Sequence, residues 1–265
     1  MDELVESIAE YILAYQYGGK GDFAILLVGN PGVGKTCVCE AIAKIFDCPL
    51  AFIDCSGTNY LALNGTTKNY TAAEPGKMAK GFYTYGTTDL VMQLDEVDKL
   101  VSDRDGEAAN ALIKPLGPQK TVEDKFLDFD IDVCATKFVA TANQIDKIPH
   151  YLLDRFGNNI FFIEDYNANQ KAEIGKRYLA PKLMQEYRVK EEDLAFSDEA
   201  LQLVAKEFCD DHGARKMESY IRELIRKAIK LWSIGESTKP LTIDEEFVKN
   251  HLKNTKNTSN KVGFI

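Results

Sequence analysis

The apolar run AILLV, the glycine-rich stretch GNPGVGKT and the helical pattern CVCEAIAKIF follow one another without interruption. That order constrains the fold more than any other stretch of the chain. Glycine weakens both helices and strands, so three glycines between two well-formed elements mark a loop whose backbone must do something other residues prevent. The pattern Gly-x-x-x-x-Gly-Lys-Thr between a strand and a helix is a phosphate cradle: successive N–H groups turn inward, and the helix amino terminus adds positive potential. Gly29, Asn30, Pro31, Gly32, Val33, Gly34, Lys35, Thr36 and Cys37 are the expected nucleotide-binding residues. The Lys35 ammonium suits the β and γ oxygens of ATP, and the Thr36 hydroxyl suits a magnesium ion.

A strand feeding such a loop implies a parallel sheet wrapped by helices, and the next hundred residues fit one. Phe23 to Val28, Leu50 to Asp54, Asp89 to Asp95, Thr136 to Asn143 and Asn159 to Glu164 are the strand candidates, each pair spaced for a crossover helix. After about Tyr166 the strands are expected to stop. Apolar residues recur at helical spacing over Ala168 to Tyr187, Ser197 to Asp211 and Ala214 to Trp232, with Ser197 placed to cap the second helix and cations closing the third. The expected organisation is an α/β P-loop NTPase subdomain over 1–165, a small all-helical lid over 166–254 and a polar junction over 255–265.

Composition narrows the function classes. With 45% hydrophobic residues and a formal charge of -9, the 265-residue chain can build a substantial core and lacks the basic footprint that duplex nucleic acid requires, so nucleic acid is not expected as a partner. Six cysteines show no metal spacing, no apolar run is long enough to span a bilayer, and the acidic start MDELVESIAE is unlike a signal or transit peptide. A cytoplasmic protein with reduced thiols is expected.

Hydrolysis needs more than a phosphate cradle. The strand DLVMQLDE ends in Asp95-Glu96, where a parallel sheet presents its ligands. Asp95 is expected to hold magnesium through water, and Glu96 to act as general base on the attacking water. TKFVATANQ puts Asn143 past the end of another strand, where its amide can sense the γ-phosphate. Gln93 interrupts an otherwise apolar strand without an evident reason.

The order phosphate loop, Asp-Glu strand, Thr-Ala-Asn strand, LLDR and HGARKMES resembles the AAA+ ATPases, and within them the ATPase module of Lon-type, ATP-dependent proteases. The similarity runs collinearly through LDEVDKLVSDRDGEAANALIKPLGPQ, FVATANQIDKIPHYLLDRF, KRYLAPKLMQEY and HGARKMESYIRELIRKAIK. It implies that Arg155 is an arginine finger acting on a neighbouring subunit's γ-phosphate, and that Arg215 is the sensor coupling the lid to nucleotide. It implies a homo-oligomeric ring, a hexamer by analogy, that threads unfolded or damaged proteins, and it admits the mitochondrial matrix as a location. NGTTKNYTAAEPGKM is similar to the family's pore segment, with Tyr70 as the gripping aromatic. Here the usual Tyr-aliphatic-Gly reads Tyr70-Thr71-Ala72, preceded by the single basic residue Lys68. No serine–lysine protease domain lies within the chain, whose end NKVGFI resembles the start of one, so a module of a longer protease is expected. The rivals are a stand-alone remodelling ATPase and a module that assembles with ATP but barely hydrolyses it.

Overall fold

The structure is a computed structural model that describes residues 2–18, 23–100, 102–103 and 106–252. The expected polar junction over 255–265 lies outside the described residues. By compactness the chain forms two units: one runs to Asn30 and resumes over Gly34–Glu164, and the other comprises Pro31–Val33 and the chain from Asp165 onward.

In the first unit, helix α1 (Asp2–Gln16) precedes β1 (Ala24–Val28), and α2 (Lys35–Ile45) leads to β2 (Leu50–Asp54). Two short helices, α3 (Tyr60–Asn64) and α4 (Lys77–Tyr85), connect β2 to β3 (Val91–Asp95). Beyond it come the two-residue partners β4 (Ser102–Asp103) and β5 (Gly106–Glu107), helix α5 (Ile113–Leu116), and a hairpin of β6 (Thr121–Asp124) with β7 (Phe129–Asp132). Strand β8 (Lys137–Ala142), helix α6 (His150–Phe156) and β9 (Ile160–Phe162) complete the unit.

The five expected strands form one sheet in the order β2-β3-β8-β1-β9, every pair parallel. Strand β1 is buried along its whole length, as an interior strand of a sheet covered on both faces must be. Leu26, Met92, Leu94 and Phe138 on the strands pack with Leu63, Leu112 and Phe156 from the helices. Tyr15, Phe23 and Phe46 meet edge to face, with ring centroids 5.1–5.8 Å apart, under α1.

The second unit is helical, as expected. Helix α7 (Ala168–Ile174) continues through a π-turn, Gly175–Leu179, into α8 (Ala180–Glu186); α9 (Asp198–Leu203) continues through a second, Val204–Phe208; α10 (Arg215–Ser233) and α11 (Glu245–His251) follow. The starts are capped: Asn167 and Gln170 form a reciprocal capping box, and Ser197 Oγ accepts from Ala200 N at 3.1 Å. Leu183, Leu201, Val204, Met217, Ile221 and Leu224 make the core. One expectation needs correction, because strands do not stop at Tyr166. β10 (Leu194–Phe196) and β11 (Leu241–Ile243) pair in parallel, joining segments far apart in sequence. Among the described residues, no helix is long and apolar enough to cross a membrane.

Candidate active site

In the first unit, the carboxyl ends of β1, β3 and β8 bring together residues from three separate sequence motifs. The backbone leaving β1 is held by Gly29 N donating to Ala142 O at 3.1 Å. Gly34, at φ 94°, turns the chain into α2, a left-handed conformation that glycine adopts without a side-chain clash. Helix α2 begins at Lys35, with Thr36 and Cys37 exposed on its first turn.

The Lys35 ammonium donates to Gly29 O, to Asn30 O at 3.2 Å and to Asn143 Oδ1 at 2.9 Å. Asn143 spends its amide donor on Glu96, with Nδ2 3.1 Å from Oε1. Glu96 pairs through its other oxygen with Lys99 at 2.7 Å, and that hydrogen bond raises the lysine above its ordinary pKa. Lys35, Asn143, Glu96 and Lys99 therefore form a continuous chain of donors and acceptors.

Asp95 is fixed from below. Thr141 Oγ1 donates to Asp95 Oδ1 at 2.6 Å and accepts from Glu96 N at 3.1 Å, so one hydroxyl orients both acidic residues. Strands β3 and β8 run in register with Leu94 opposite Ala140, which sets Thr141 beside Asp95. Gln93 has a structural reason: wholly buried, it donates through Nε2 to the same Asp95 oxygen at 3.3 Å, while its own Oε1 has no hydrogen-bond partner among the described residues. Asp98 Oδ2 accepts from Gln144 N at 3.1 Å and pins the backbone next to Asn143. Under α2, burial pushes the Cys39 thiol up to about 12, with the charge of Asp95 adding to the effect. It is an inert core group.

These residues suit a magnesium–nucleotide complex. Among the described residues no cluster of three His, Cys, Asp or Glu could cage a metal by itself. Magnesium needs no such cage; it takes one or two protein oxygens and completes its shell with phosphates and water. The Asp95 carboxylate and the Thr36 hydroxyl are of that type.

Pro31–Val33, the middle of the phosphate loop, belong to the second unit. Ala214 N donates to Gly32 O at 3.0 Å, and Tyr166 Oη donates to Val33 O at 2.6 Å. Gly32 has φ 86°, and a Cβ added at Gly213 would stand 2.3 Å from the Gly32 carbonyl carbon, so both positions demand glycine. Arg215 opens α10, exposed, with its Cγ 3.0 Å from where a Gly32 Cβ would lie.

The remaining expected site residues sit elsewhere. Arg155 is exposed in the last turn of α6, with Nη1 3.6 Å from where a Cβ on Gly117 would lie. Tyr70 and Thr71 are exposed at the tip of the loop between α3 and α4. Sequence reasoning missed Thr141, Lys99, Tyr166 and Gly213. Thr141 could have been found as the hydroxyl two positions before Asn143 on a strand next to the Asp-Glu strand; the others carry no local signal.

Residues 25–163 match the family model described as "ATPase family associated with various cellular activities (AAA)". Over 235 residues the chain is 35% identical to Lon protease 1 of Borreliella burgdorferi, covering 87% of this chain and 29% of that protein. It is 33% identical over 257 residues to the Lon protease of Malacoplasma penetrans and 32% identical over 257 to that of Mycoplasma genitalium, in each case 96% of this chain and 32% of the relative. The chain thus spans about a third of the length of the curated relatives it matches.

Proposed function

Because this chain belongs to the AAA family of ATPases, we propose that it is the ATP-hydrolysing motor module of a Lon-type, ATP-dependent protease. It would unfold protein substrates and thread them toward a peptidase. The observation that carries this reading is the bonded set Lys35–Asn143–Glu96, with Asp95 alongside, at the carboxyl ends of three neighbouring strands. Extended similarity to Lon proteases over nearly the whole chain supplies the context.

Magnesium-bound ATP would supply the phosphoanhydride bond whose cleavage drives the motor. The loop Gly29 to Gly34 would cradle its phosphates through the backbone N–H groups of Gly32, Val33 and Gly34, and Lys35 would neutralise them. Thr36 and Asp95 would hold the metal, which would offset negative charge on the phosphates. Glu96 takes the proton of the attacking water, and Asn143, bonded to both Lys35 and Glu96, aligns base and phosphate. Arg155 acts across a subunit boundary as the arginine finger, and Arg215 ties the helical unit to nucleotide state. Hydrolysis is then completed between copies in a homo-oligomeric ring, a hexamer by analogy, and the Tyr70 loops move with each turnover to grip polypeptide. The proposed subdomains are 1–165 and 166–254.

Steady-state phosphate release per chain, measured across protein concentrations, tests this reading. The rate is expected to rise with concentration. Arg155→Ala and Glu96→Gln chains, each inactive alone, are expected to regain part of the rate when mixed. A rate per chain that is constant at every dilution and indifferent to Arg155 would overturn the proposal.

A further inference from the structure

The loop that carries Tyr70 leaves α3 at Gly65 and enters α4 after Gly76, and its two ends touch. A Cβ added at Gly76 would stand 2.0 Å from Leu63 O and 2.7 Å from Gly65 N. Above this neck, Thr66 N donates to Glu74 O at 3.1 Å and Glu74 N donates to Thr66 Oγ1 at 3.0 Å. The tip beyond is open, with Tyr70 63% exposed.

The neck is tied to the β6–β7 hairpin by one side chain. Asp124, at the end of β6, is 1% exposed. Its Oδ2 accepts from Gly76 N at 2.8 Å, while Oδ1 accepts from Phe126 N at 3.0 Å and Leu127 N at 2.9 Å in the hairpin turn. Lys125 N adds a bond to Asn64 O at 2.7 Å. Ring contacts reinforce the junction: Lys68 Nζ lies 5.7 Å from the Phe126 ring centre, and Lys125 Nζ lies 4.7 Å from that of Tyr60. A buried carboxylate is costly unless its oxygens are satisfied, and here three backbone donors from two distant segments do so. Only a carboxylate offers acceptors in both directions. An amide of the same shape would face one of the two segments with its NH2, donor against donor, and release it.

We propose that Asp124 is the positioning residue that sets how the Tyr70 loop is presented to an unfolded polypeptide, by clasping the loop's neck to the hairpin turn. The inference rests on reading that loop as the polypeptide grip. A purely architectural carboxylate would affect stability alone. A positioning residue changes the affinity for polypeptide while leaving the affinity for nucleotide in place.

The test is binding of a dye-labelled, permanently unfolded chain, reduced and carboxymethylated α-lactalbumin, to the full protein with ATP and magnesium, read by fluorescence anisotropy. Asp124→Asn is expected to weaken this binding by about three- to tenfold, the scale of one lost hydrogen bond of ordinary net strength, without changing the half-saturating ATP concentration. Wild-type polypeptide affinity in Asp124→Asn overturns the inference. Tyr70→Ala, measured beside it, separates the two claims. Normal binding by Tyr70→Ala removes the grip itself, whereas a defect confined to Tyr70→Ala removes only Asp124. Should Asp124→Asn fail to fold, amide exchange in the wild-type protein decides. Added polypeptide is expected to raise protection at Gly76, Phe126 and Leu127 together, and protection gained at Gly76 without the two hairpin amides overturns the clasp.

Discussion

Asn143 reaches Glu96 with its amide nitrogen, 3.1 Å from Oε1, while the oxygen of the same amide accepts from Lys35 at 2.9 Å. The two ends of one side chain thus report on the two groups that matter most, the cation that would neutralise phosphate and the carboxylate that would activate water. Glu96→Gln preserves the shape of the site and removes the proposed base. It is expected to bind ATP normally and to turn it over roughly a hundredfold to ten-thousandfold more slowly. Equilibrium binding of a fluorescent ATP analogue together with phosphate release checks this, and equal turnover would remove Glu96 from the chemistry.

Thr141 serves two acidic residues through one hydroxyl. Thr141→Val keeps the volume and loses both bonds, leaving Asp95 Oδ1 with the longer 3.3 Å bond from Gln93. The expected cost is about 1–3 kcal/mol in denaturant unfolding. Thr141→Ser should recover most of it, and an unchanged denaturation midpoint for the valine variant would show the hydroxyl to be dispensable.

Thiol chemistry gives an inexpensive probe of the phosphate loop. Burial pushes Cys39, Cys55 and Cys209 up to about 12, so they carry almost no thiolate near neutral pH, whereas Cys37 and Cys134 are exposed. Native-state alkylation is therefore expected at Cys37 and Cys134. ATP at a hundred times its Kd should slow Cys37 alone, by up to about a hundredfold. Peptide mass mapping distinguishes the sites, and a Cys37 rate indifferent to ATP would place the nucleotide elsewhere.

Gly213 leaves no room for a side chain against Gly32. Gly213→Ala must push the loop backbone aside, at a cost of roughly 1–3 kcal/mol. The variant is expected to show weaker ATP binding by calorimetry as well as a lower melting temperature. Unaltered ATP affinity would mean that the position of Pro31–Val33 does not matter to the cradle.

The parts of the fold that sequence announced are those where burial is uniform. AILLV reads as an interior strand because all five residues are buried, and its boundaries are sharpened by the glycines that follow. The hairpin went unread because Thr121–Asp124 and Phe129–Asp132 carry four carboxylates in eight residues and bury few side chains, which blurs the alternation a strand normally shows. Strands β10 and β11, three residues each, are too short for any period to register. At the site, Lys35, Asp95, Glu96 and Asn143 could be singled out because each ends or begins an apolar element. Tyr166 could not, since its partner Val33 lies 133 positions away. Gln93 breaks the strand's apolar pattern because its partner is Asp95, a relationship that strand periodicity does not carry.

Glu96 occupies left-handed backbone space, at φ 56° and ψ 49°. For a residue other than glycine this conformation stores roughly 1 kcal/mol or more of strain at the very position expected to do the chemistry. Selection for turnover and selection for thermal endurance therefore pull this codon in opposite directions. In descendants relieved of hydrolysis, glycine or asparagine should invade that position early, and the resulting dead enzymes should outlast their working ancestors on heating.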